Sequence, residues 1–375
     1  VDLRGGMTLK FSESTLAQLY RKKNPDGSIS GGAMYYLDLG LREYGPVLGA
    51  FGKILAVFYA LMIMAGAMGG GNMFQANQSF EAIVPTFGIP ESSKAFASVV
   101  FGLIMAFMVG LVIIGGIKRI GAATSKIVPF MCGIYVLAAI FIMFWNIEAI
   151  PGTFGTIFSQ AFGDNAFFGG IIGVAVMGIR RASFSNEAGL GSSAIAHAAA
   201  KTDEPVREGI VAMLEPFIDT IVVCSMTAFV VIVTDTYRAE AFWGVSDAGA
   251  SMTVAAFDTV IPHFSYVLTI CILLFAYSTM ISWCYYGERG WIYLMDHFGE
   301  GTGLRTLLGF RVVFCMFVFF GSVIKLGQVL EFSDLVILCL AFPNLLGSMI
   351  LLPKIVPIVN DYWRRFQAGE FKVYK

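Results

Sequence analysis

Charge is scarce in this sequence: Asp, Glu, Lys and Arg make up 14% of its 375 residues. A water-soluble domain needs a charged surface that such a composition cannot furnish. Alternating ten-residue segments are also missing, which argues against a β-barrel. The six cysteines, Cys132, Cys224, Cys271, Cys284, Cys315 and Cys339, lie in or beside apolar runs without CxxC spacing. Neither a disulfide scaffold nor a zinc site fits that pattern, so they read as small apolar packing residues. His197, His263 and His297 are scattered, no HExxH motif occurs, and no nucleophile has an evident base. This speaks against a membrane-embedded enzyme, one rival class, with a channel as the other. A net charge of −1 with no basic face gives no sign of a nucleic-acid partner. The opening Val1-Asp2-Leu3-Arg4 has neither an initiator methionine nor a signal-peptide pattern, so the expectation is a chain that starts partway through something.

What is present in abundance is apolar: 57% of the residues are hydrophobic, and mean hydropathy is +0.74. The apolar residues form runs of about 20, the length that a helix needs to cross roughly 30 Å of hydrocarbon. The class is an all-α polytopic membrane protein embedded in a lipid bilayer. Eight full transmembrane spans are expected, near Leu48–Gln75, Ala95–Ile117, Ile127–Ile147, Phe167–Ala200, Gly209–Thr234, Phe264–Tyr286, Thr306–Ile324 and Val329–Leu352. Before them, Met7–Tyr20 suits a helix too short and polar to span alone, Arg21–Gly27 a basic turn-rich loop, and 31–46 a short interfacial helix. A further short helix is expected across Ala250–Val260. Lys and Arg concentrate in alternate loops, which puts the Arg21 loop and the C-terminus on the cytoplasmic side. The chain thus divides into 1–46, a transmembrane bundle over 47–352 and a basic cytoplasmic tail over 353–375.

The fourth span, 167–200, is interrupted by Ser183-Phe184-Ser185-Asn186-Glu187-Ala188-Gly189-Leu190-Gly191-Ser192-Ser193. A polar break at membrane depth costs several kcal/mol unless its backbone groups find partners. A discontinuous helix offers free carbonyls to a cation and free N–H groups to a carboxylate, and Gly189 and Gly191 let the backbone turn and a ligand approach. A loop between two shorter helices outside the bilayer is the plainer alternative. Glu187 is open to three roles: a ligand, a proton carrier, or the partner of Arg180 or Arg181. Pairing, structural or gating, comes first. Glu215 and Asp219 lie at i, i+4 on one face of the next span; fixing the broken helix is their expected role, and a direct ion site the sharper alternative.

Two further clusters stand out. In the sixth span Ser278, Thr279 and Ser282 offer oxygen ligands to a hard cation such as Na⁺, and Thr279 and Trp283 share a face. Membrane hydroxyls commonly bond back to their own helix, which is the competing reading for each alone. Gly69-Gly70-Gly71-Asn72-Met73-Phe74-Gln75 closes the first span; Asn72 and Gln75 lie deeper than Asn77 and Gln78 and can read both ends of an amino acid without added charge.

Ser185-Asn186-Glu187-Ala188-Gly189-Leu190-Gly191-Ser192 followed by Ile195-Ala196-His197-Ala198-Ala199-Ala200-Lys201-Thr202 closely resembles the signature of the alanine or glycine:cation symporter family (sodium:alanine symporters). Gly115–Gly121, Phe217–Thr220, Ser278-Thr279, Trp283 and Tyr285-Tyr286-Gly287-Glu288 match it in the same order. The likeness covers nearly the whole chain from about Met7. It departs at Ala33, where a Gly-Gly-Pro-Met-Tyr-Tyr pattern is usual, and at Ser193-Ala194, where Ala-Pro is usual. The resemblance implies a secondary active transporter with a five-plus-five inverted-repeat (LeuT-like) fold, importing alanine or glycine with Na⁺, or H⁺, by alternating access across a bacterial-type plasma membrane. It implies no enzyme cofactor, only Na⁺ as coupling ion. By the family pattern 167–200 matches the sixth core helix, while the first core helix and most of the second are absent, so the chain reads as an N-terminally truncated fragment. Substrate lining falls to Gln75, Thr279, Trp283 and the broken segment with Ser185, Asn186, Gly189 and Gly191, and a partial Na⁺ site to Ser278 and Thr279 or Ser282.

Overall fold

The computed structural model describes residues 3–24, 27–162, 171–243 and 249–371. Helix α1, Leu3–Leu19, leads into a two-stranded antiparallel hairpin, β1 Lys22–Lys23 and β2 Ile29–Ser30, with Lys22 opposite Ser30. The basic segment expected as a plain loop is pinned by Asn24, whose Nδ2 donates to the hydroxyls of Ser28 (2.9 Å) and Ser30 (2.8 Å). The interfacial segment is a short helix, Ala33–Tyr35, continuing as a π-turn over Tyr36–Gly40.

Among the described residues six helices are long and apolar enough to cross a membrane. They are α2 (Pro46–Thr86), α3 (Glu91–Ile113), α4 (Gly116–Trp145), α8 (Pro205–Val233), α10 (Phe264–Met295) and α12 (Leu326–Gln367). The shorter α11, Leu307–Val323, occupies the seventh expected span. The broken span is α6, Ile171–Asn186, then a turn, then α7, Ala194–Ala198; the expected start at 167–170 lies outside the described residues. Two smaller helices complete the set: α5, Ile150–Phe162, and α9, Gly249–Asp258.

Several helices outrun their expected ends because hydropathy marks the lipid-facing stretch, whereas the hydrogen-bond ladder continues into the polar interface. α12 runs unbroken past Leu352 to Gln367 and so carries most of the expected tail. α2 differs for another reason. The span expected to close near Gln75 instead loosens into a π-turn at Gly69–Met73 and continues to Thr86. Asn72 does not fray: it is fully buried and its Nδ2 donates to the Phe314 carbonyl at 2.8 Å. Asn77 is likewise buried and donates to the Ile324 carbonyl at 2.8 Å.

The glycines of that turn permit close helix packing. A Cβ on Gly71 would lie 2.4 Å from Trp283 Cβ of α10, and one on Gly69 would lie 2.9 Å from the Phe332 ring of α12. Small residues where helices meet are the usual means of tight packing in lipid, where apolar burial alone gives no net drive. The main core gathers Tyr59, Ile63, Met280, Ile281, Phe314 and Leu340 from α2, α10, α11 and α12. A second core joins Tyr135, Val230, Phe257 and Leu268 from α4, α8, α9 and α10. α10 enters both and is thus the central post. Large apolar side chains such as Leu103, Phe107, Leu137 and Phe144 remain exposed, as a lipid-facing surface requires. All six cysteines are free; Cys271 and Cys284 are buried, whereas Cys224 is exposed.

At the end of α12 the Arg365 guanidinium forms a bidentate pair with Glu204, at 2.7 and 2.9 Å, just before α8 begins. Phe371 stacks against the Arg365 and Arg207 guanidinium groups on the same spot. The Arg365 hydrogen bonds hold the Glu204 carboxyl below its ordinary range. A depressed carboxyl stabilises the fold above its unfolded value of about 4.3 and loses that contribution as pH falls through the lower folded value. The melting temperature of purified protein in detergent should therefore exceed that of Arg365→Gln at pH 7, with the gap closing below about pH 4. A gap that persists unchanged to pH 3 would exclude the ion pair as its source.

Candidate functional site

The turn between α6 and α7 is built by three residues in the left-handed region: Glu187 (φ 55°), Gly189 (φ 86°) and Gly191 (φ 72°). The glycines adopt it freely, while Glu187 does so at a conformational cost that its surroundings must meet. Asn186 starts the turn by accepting the Ala188 N–H at its Oδ1, 3.0 Å. Gly191 also has no room for a side chain, since a Cβ would lie 2.7 Å from Asn344 Oδ1.

The carbonyls freed by the break are answered from three other helices. Asn344 of α12 donates from Nδ2 to Gly189 O at 2.8 Å, and the Tyr59 hydroxyl of α2 donates to Leu190 O at 2.8 Å. The end of α1 serves the end of α7. Arg21 donates to the carbonyls of Ala200 (2.7 Å) and Thr202 (3.0 Å), and Gln18 donates to that of His197. Asn344 is held in turn by Glu13 of α1, whose Oε1 accepts its Nδ2 at 2.6 Å, and by the Tyr36 hydroxyl, which donates to its Oδ1. Lys10, fully buried on the same face of α1, donates to Ser193 Oγ at 2.5 Å and pairs with Glu215 at 2.9 Å.

On the other side of the break α6 is tied to α8. Ser185 Oγ donates to the Asp219 carboxylate at 2.7 Å, and Asn186 Nδ2 donates to Thr220 Oγ1 at 2.9 Å. Asp219 and Thr220 sit in a further π-turn, Phe217–Cys224, the kind of local widening often found at functional sites. Glu215 and Asp219 therefore both contact the broken segment, through Lys10 and Ser185 respectively.

A cavity of about 200 Å³ lies beside the break, between α2, α6, α10 and α12. Gln75, Ser185, Thr279 and Trp283 line it together with Glu187, with Phe184 and Ile337 as apolar walls. Gly66 and Gly70 form its floor without side chains, and Gln75 Nε2 donates to Gly70 O at 3.1 Å. At about 30 Å³ for each water, the space has room for roughly six or seven waters, or one small amino acid.

The remaining sequence-derived candidates lie around that cavity rather than on it. Asn72 is committed to Phe314, Asn186 to Thr220 and Ala188, and Gly189 and Gly191 shape the turn. Ser278 Oγ donates back to Phe275 O at 2.9 Å, within α10, and Ser282 is half-buried one turn on from it. Arg180 pairs with Asp334 of α12 at 2.8 Å, and Arg181 also bonds Asp334. Both precede the break on regular helix and point to α12, while the left-handed turn swings Glu187 toward the cavity. There its Oε2 accepts the Ser192 hydroxyl at 2.6 Å.

Sequence reading missed Lys10, Glu13, Tyr59 and Asn344. The available signal was polar or charged residues in apolar surroundings: Asn344 beside Pro343 within a long apolar run, and Lys10 with Glu13 one turn apart.

A multi-pass helical bundle with a small, partly polar cavity beside a helix break has the architecture of a membrane solute carrier. Comparison with known proteins narrows this: the chain belongs to the sodium:alanine symporter family, a family of transporters and not enzymes, whose model matches residues 5–375. Among its relatives is the sodium/alanine symporter AgcS of Methanococcus maripaludis, 41% identical over 348 residues, covering 92% of this chain and 72% of AgcS. A probable sodium/glutamine symporter GlnT of Bacillus subtilis is 31% identical, covering 98% of this chain and 72% of GlnT. A sodium/proton-dependent alanine carrier protein of Bacillus sp. PS3 is 32% identical, covering 83% of this chain and 69% of the carrier.

Asn344→Ala should lower stability by about 1–3 kcal/mol, because it leaves the buried Gly189 carbonyl and Glu13 without their donor. Thermal melting in detergent checks this. An unchanged midpoint would mean that the break does not depend on α12.

Proposed function

We propose that the protein is a secondary active transporter that imports alanine, or glycine, together with Na⁺ by alternating access. The observation that carries the reading is the cavity of about 200 Å³ that joins the helix break to Gln75, Thr279 and Trp283. Its volume suits an amino acid of about six heavy atoms, and the Trp283 and Phe184 walls exclude bulky side chains. The Gln75 amide and the Thr279 hydroxyl serve the polar ends of the zwitterion, with Ser185 as a further contact and Gly189 and Gly191 shaping the turn beside it. Asn72 and Asn186 support that lining from one step behind. Na⁺, a hard cation, takes oxygen ligands, and Thr279 with Ser278 and Ser282 contributes part of that set. The name of AgcS supports alanine and Na⁺, and that of the PS3 carrier supports H⁺ as an alternative coupling ion.

In this reading the chain has the five-plus-five inverted-repeat fold, with α6 and α7 as the two halves of its sixth core helix. The bundle over 47–352 carries transport, and the N-terminal 1–46 and the C-terminal 353–375 brace it from the cytoplasmic side of the plasma membrane. The Arg180–Asp334 pair is a gating contact, because it joins α6 to α12 next to the Phe184 wall, over whose ring the Arg181 guanidinium sits.

Reconstituted in liposomes, the protein should accumulate radiolabelled alanine only while an inward Na⁺ or H⁺ gradient is maintained. Accumulation that persists after both gradients are dissipated would overturn the symport reading. Thr279→Val replaces a hydroxyl by a methyl of similar size; it should cut uptake about tenfold, the effect of losing roughly 1.4 kcal/mol, without impairing membrane insertion. Unchanged uptake and Na⁺ dependence would remove Thr279 from the site.

A further inference from the structure

His197 of α7 stands apart from the cavity, between two carboxylates of α8. Its Nδ1 is 2.7 Å from Glu208 Oε1, and its Nε2 is 4.0 Å from Glu215 Oε2. Glu208 and Glu215 are seven residues apart, two turns along one face of α8, so they flank the imidazole. The same Glu215 Oε2 is 2.9 Å from the Lys10 ammonium, which also donates to Ser193 Oγ in the break. The side chains of Lys10, Glu208 and His197 are 0%, 15% and 19% exposed, while Glu215 is 40% exposed, so the imidazole and its Glu208 partner are largely withdrawn from solvent and Glu215 is the open side of the group.

Charge decides what this group can do. Lys10 neutralises one carboxylate, and a neutral imidazole leaves the other uncompensated. A proton on His197 brings the four groups to zero. Uncompensated charge away from water is costly, so the protonated and deprotonated forms differ substantially in free energy. Other charged groups nearby have their own partners. Glu13 holds Asn344, Arg21 holds the carbonyls after α7, Glu187 accepts Ser192, Asp219 accepts Ser185, and Glu204 is paired with Arg365. From α10, Tyr286 faces Glu187 and Glu215.

We propose that His197, between Glu208 and Glu215, is a proton-binding site for coupled transport, separate from the Na⁺ ligands on α10. The proton adds to whichever ring nitrogen is bare, giving an imidazolium that donates to Glu208 and faces Glu215. No other bond is made or broken, and release returns the proton to water by way of Glu208, in the first turn of α8. The occupancy of His197 alters the pull of Glu215 on Lys10, and Lys10 holds Ser193, so the proton is felt at the break. This deepens the transport reading and rests on it.

The test uses proteoliposomes loaded with a pH-sensitive dye. In Na⁺-free buffer with an acidic exterior, alanine should accelerate acidification of the lumen, and alanine should accumulate. His197→Gln and Glu208→Gln should each reduce both signals at least tenfold while Na⁺-driven uptake in the same preparations stays within about twofold, a difference of roughly 0.4 kcal/mol. Retained proton-driven uptake in both variants overturns the site. So does loss of both modes in both variants, since the ring is assigned no part in Na⁺ transport. Unaltered protein that takes up alanine with Na⁺ but never with protons overturns this site alone; absence of uptake under either gradient overturns the transport reading as well.

Discussion

Everything around the cavity follows from one constraint: a backbone broken inside an apolar helical bundle must have its carbonyl and N–H groups answered by protein. The break at Glu187–Ser193 meets that demand with Tyr59 of α2 and Asn344 of α12, and Gln18 and Arg21 do the same for the carbonyls at the far end of α7. Those donors must themselves be held at hydrogen-bonding distance. This explains a fully buried Glu13 beside Asn344 and a fully buried Lys10 between Ser193 and Glu215. Lys10 would be a liability alone and is tolerable because it is bonded to both Ser193 and Glu215, whereas Glu13 is bonded through Oε1 to Asn344. The polar interior is therefore a consequence of the break, and the cavity lies where the break leaves space.

The second requirement is proximity. Trp283 and Thr279 reach the cavity because α2 has no side chains at Gly66 and Gly71, where Trp283 of α10 passes, and Gly70 leaves room for Phe184 of α6. A regular helix with larger residues there would hold α10 away. The π-turn at Gly69–Met73 turns Gln75 toward the same space while Asn72 anchors the turn to α11. Loosened helix on α2 and the interrupted helix both border the cavity, while the loosened turn of α8 holds Ser185 and Asn186 from behind it.

This division marks what was legible in the sequence. Hydrophobic runs reveal helices because lipid selects for them, so six of the eight spans expected between Leu48 and Leu352 are found, among the described residues, as helices long and apolar enough to cross a membrane. The break was legible because glycine and serine clustered around a carboxylate interrupt an apolar run that would otherwise span the bilayer as one helix. The bracing was not. Asn344 meets Glu13 across 331 residues and Gly189 across 155, and no local periodicity encodes such pairs. Arg180 was expected near Glu187 because they are close in sequence, but the left-handed turn separates their directions, and Asp334 lies where the arginine points. Helix α5 escaped notice because its 13 residues are too few to register as a membrane-spanning run. The continuation of α2 beyond Gln75 was missed because a run of three glycines reads as an end, whereas packing against α10 and α12 turns it into a contact.

The two halves of the broken helix are held by different partners. α6 is bonded to α8 through Ser185 and Asn186 and to α12 through Arg180. α7 is held chiefly by α1, through Lys10, Gln18 and Arg21, with His197 reaching Glu208 of α8. Between the halves stand residues in the left-handed region, where small changes of dihedral angle redirect the chain. Hinges in switching proteins are a few such residues at the ends of rigid elements. A displacement of α1 relative to α8 would therefore be absorbed at Glu187–Gly191 rather than within either helix, and Glu187, Ser185 and Phe184 of the cavity wall lie at or beside that point. Binding in the cavity and movement of the halves then act on the same few residues, which is the condition under which a ligand can shift one arrangement toward another.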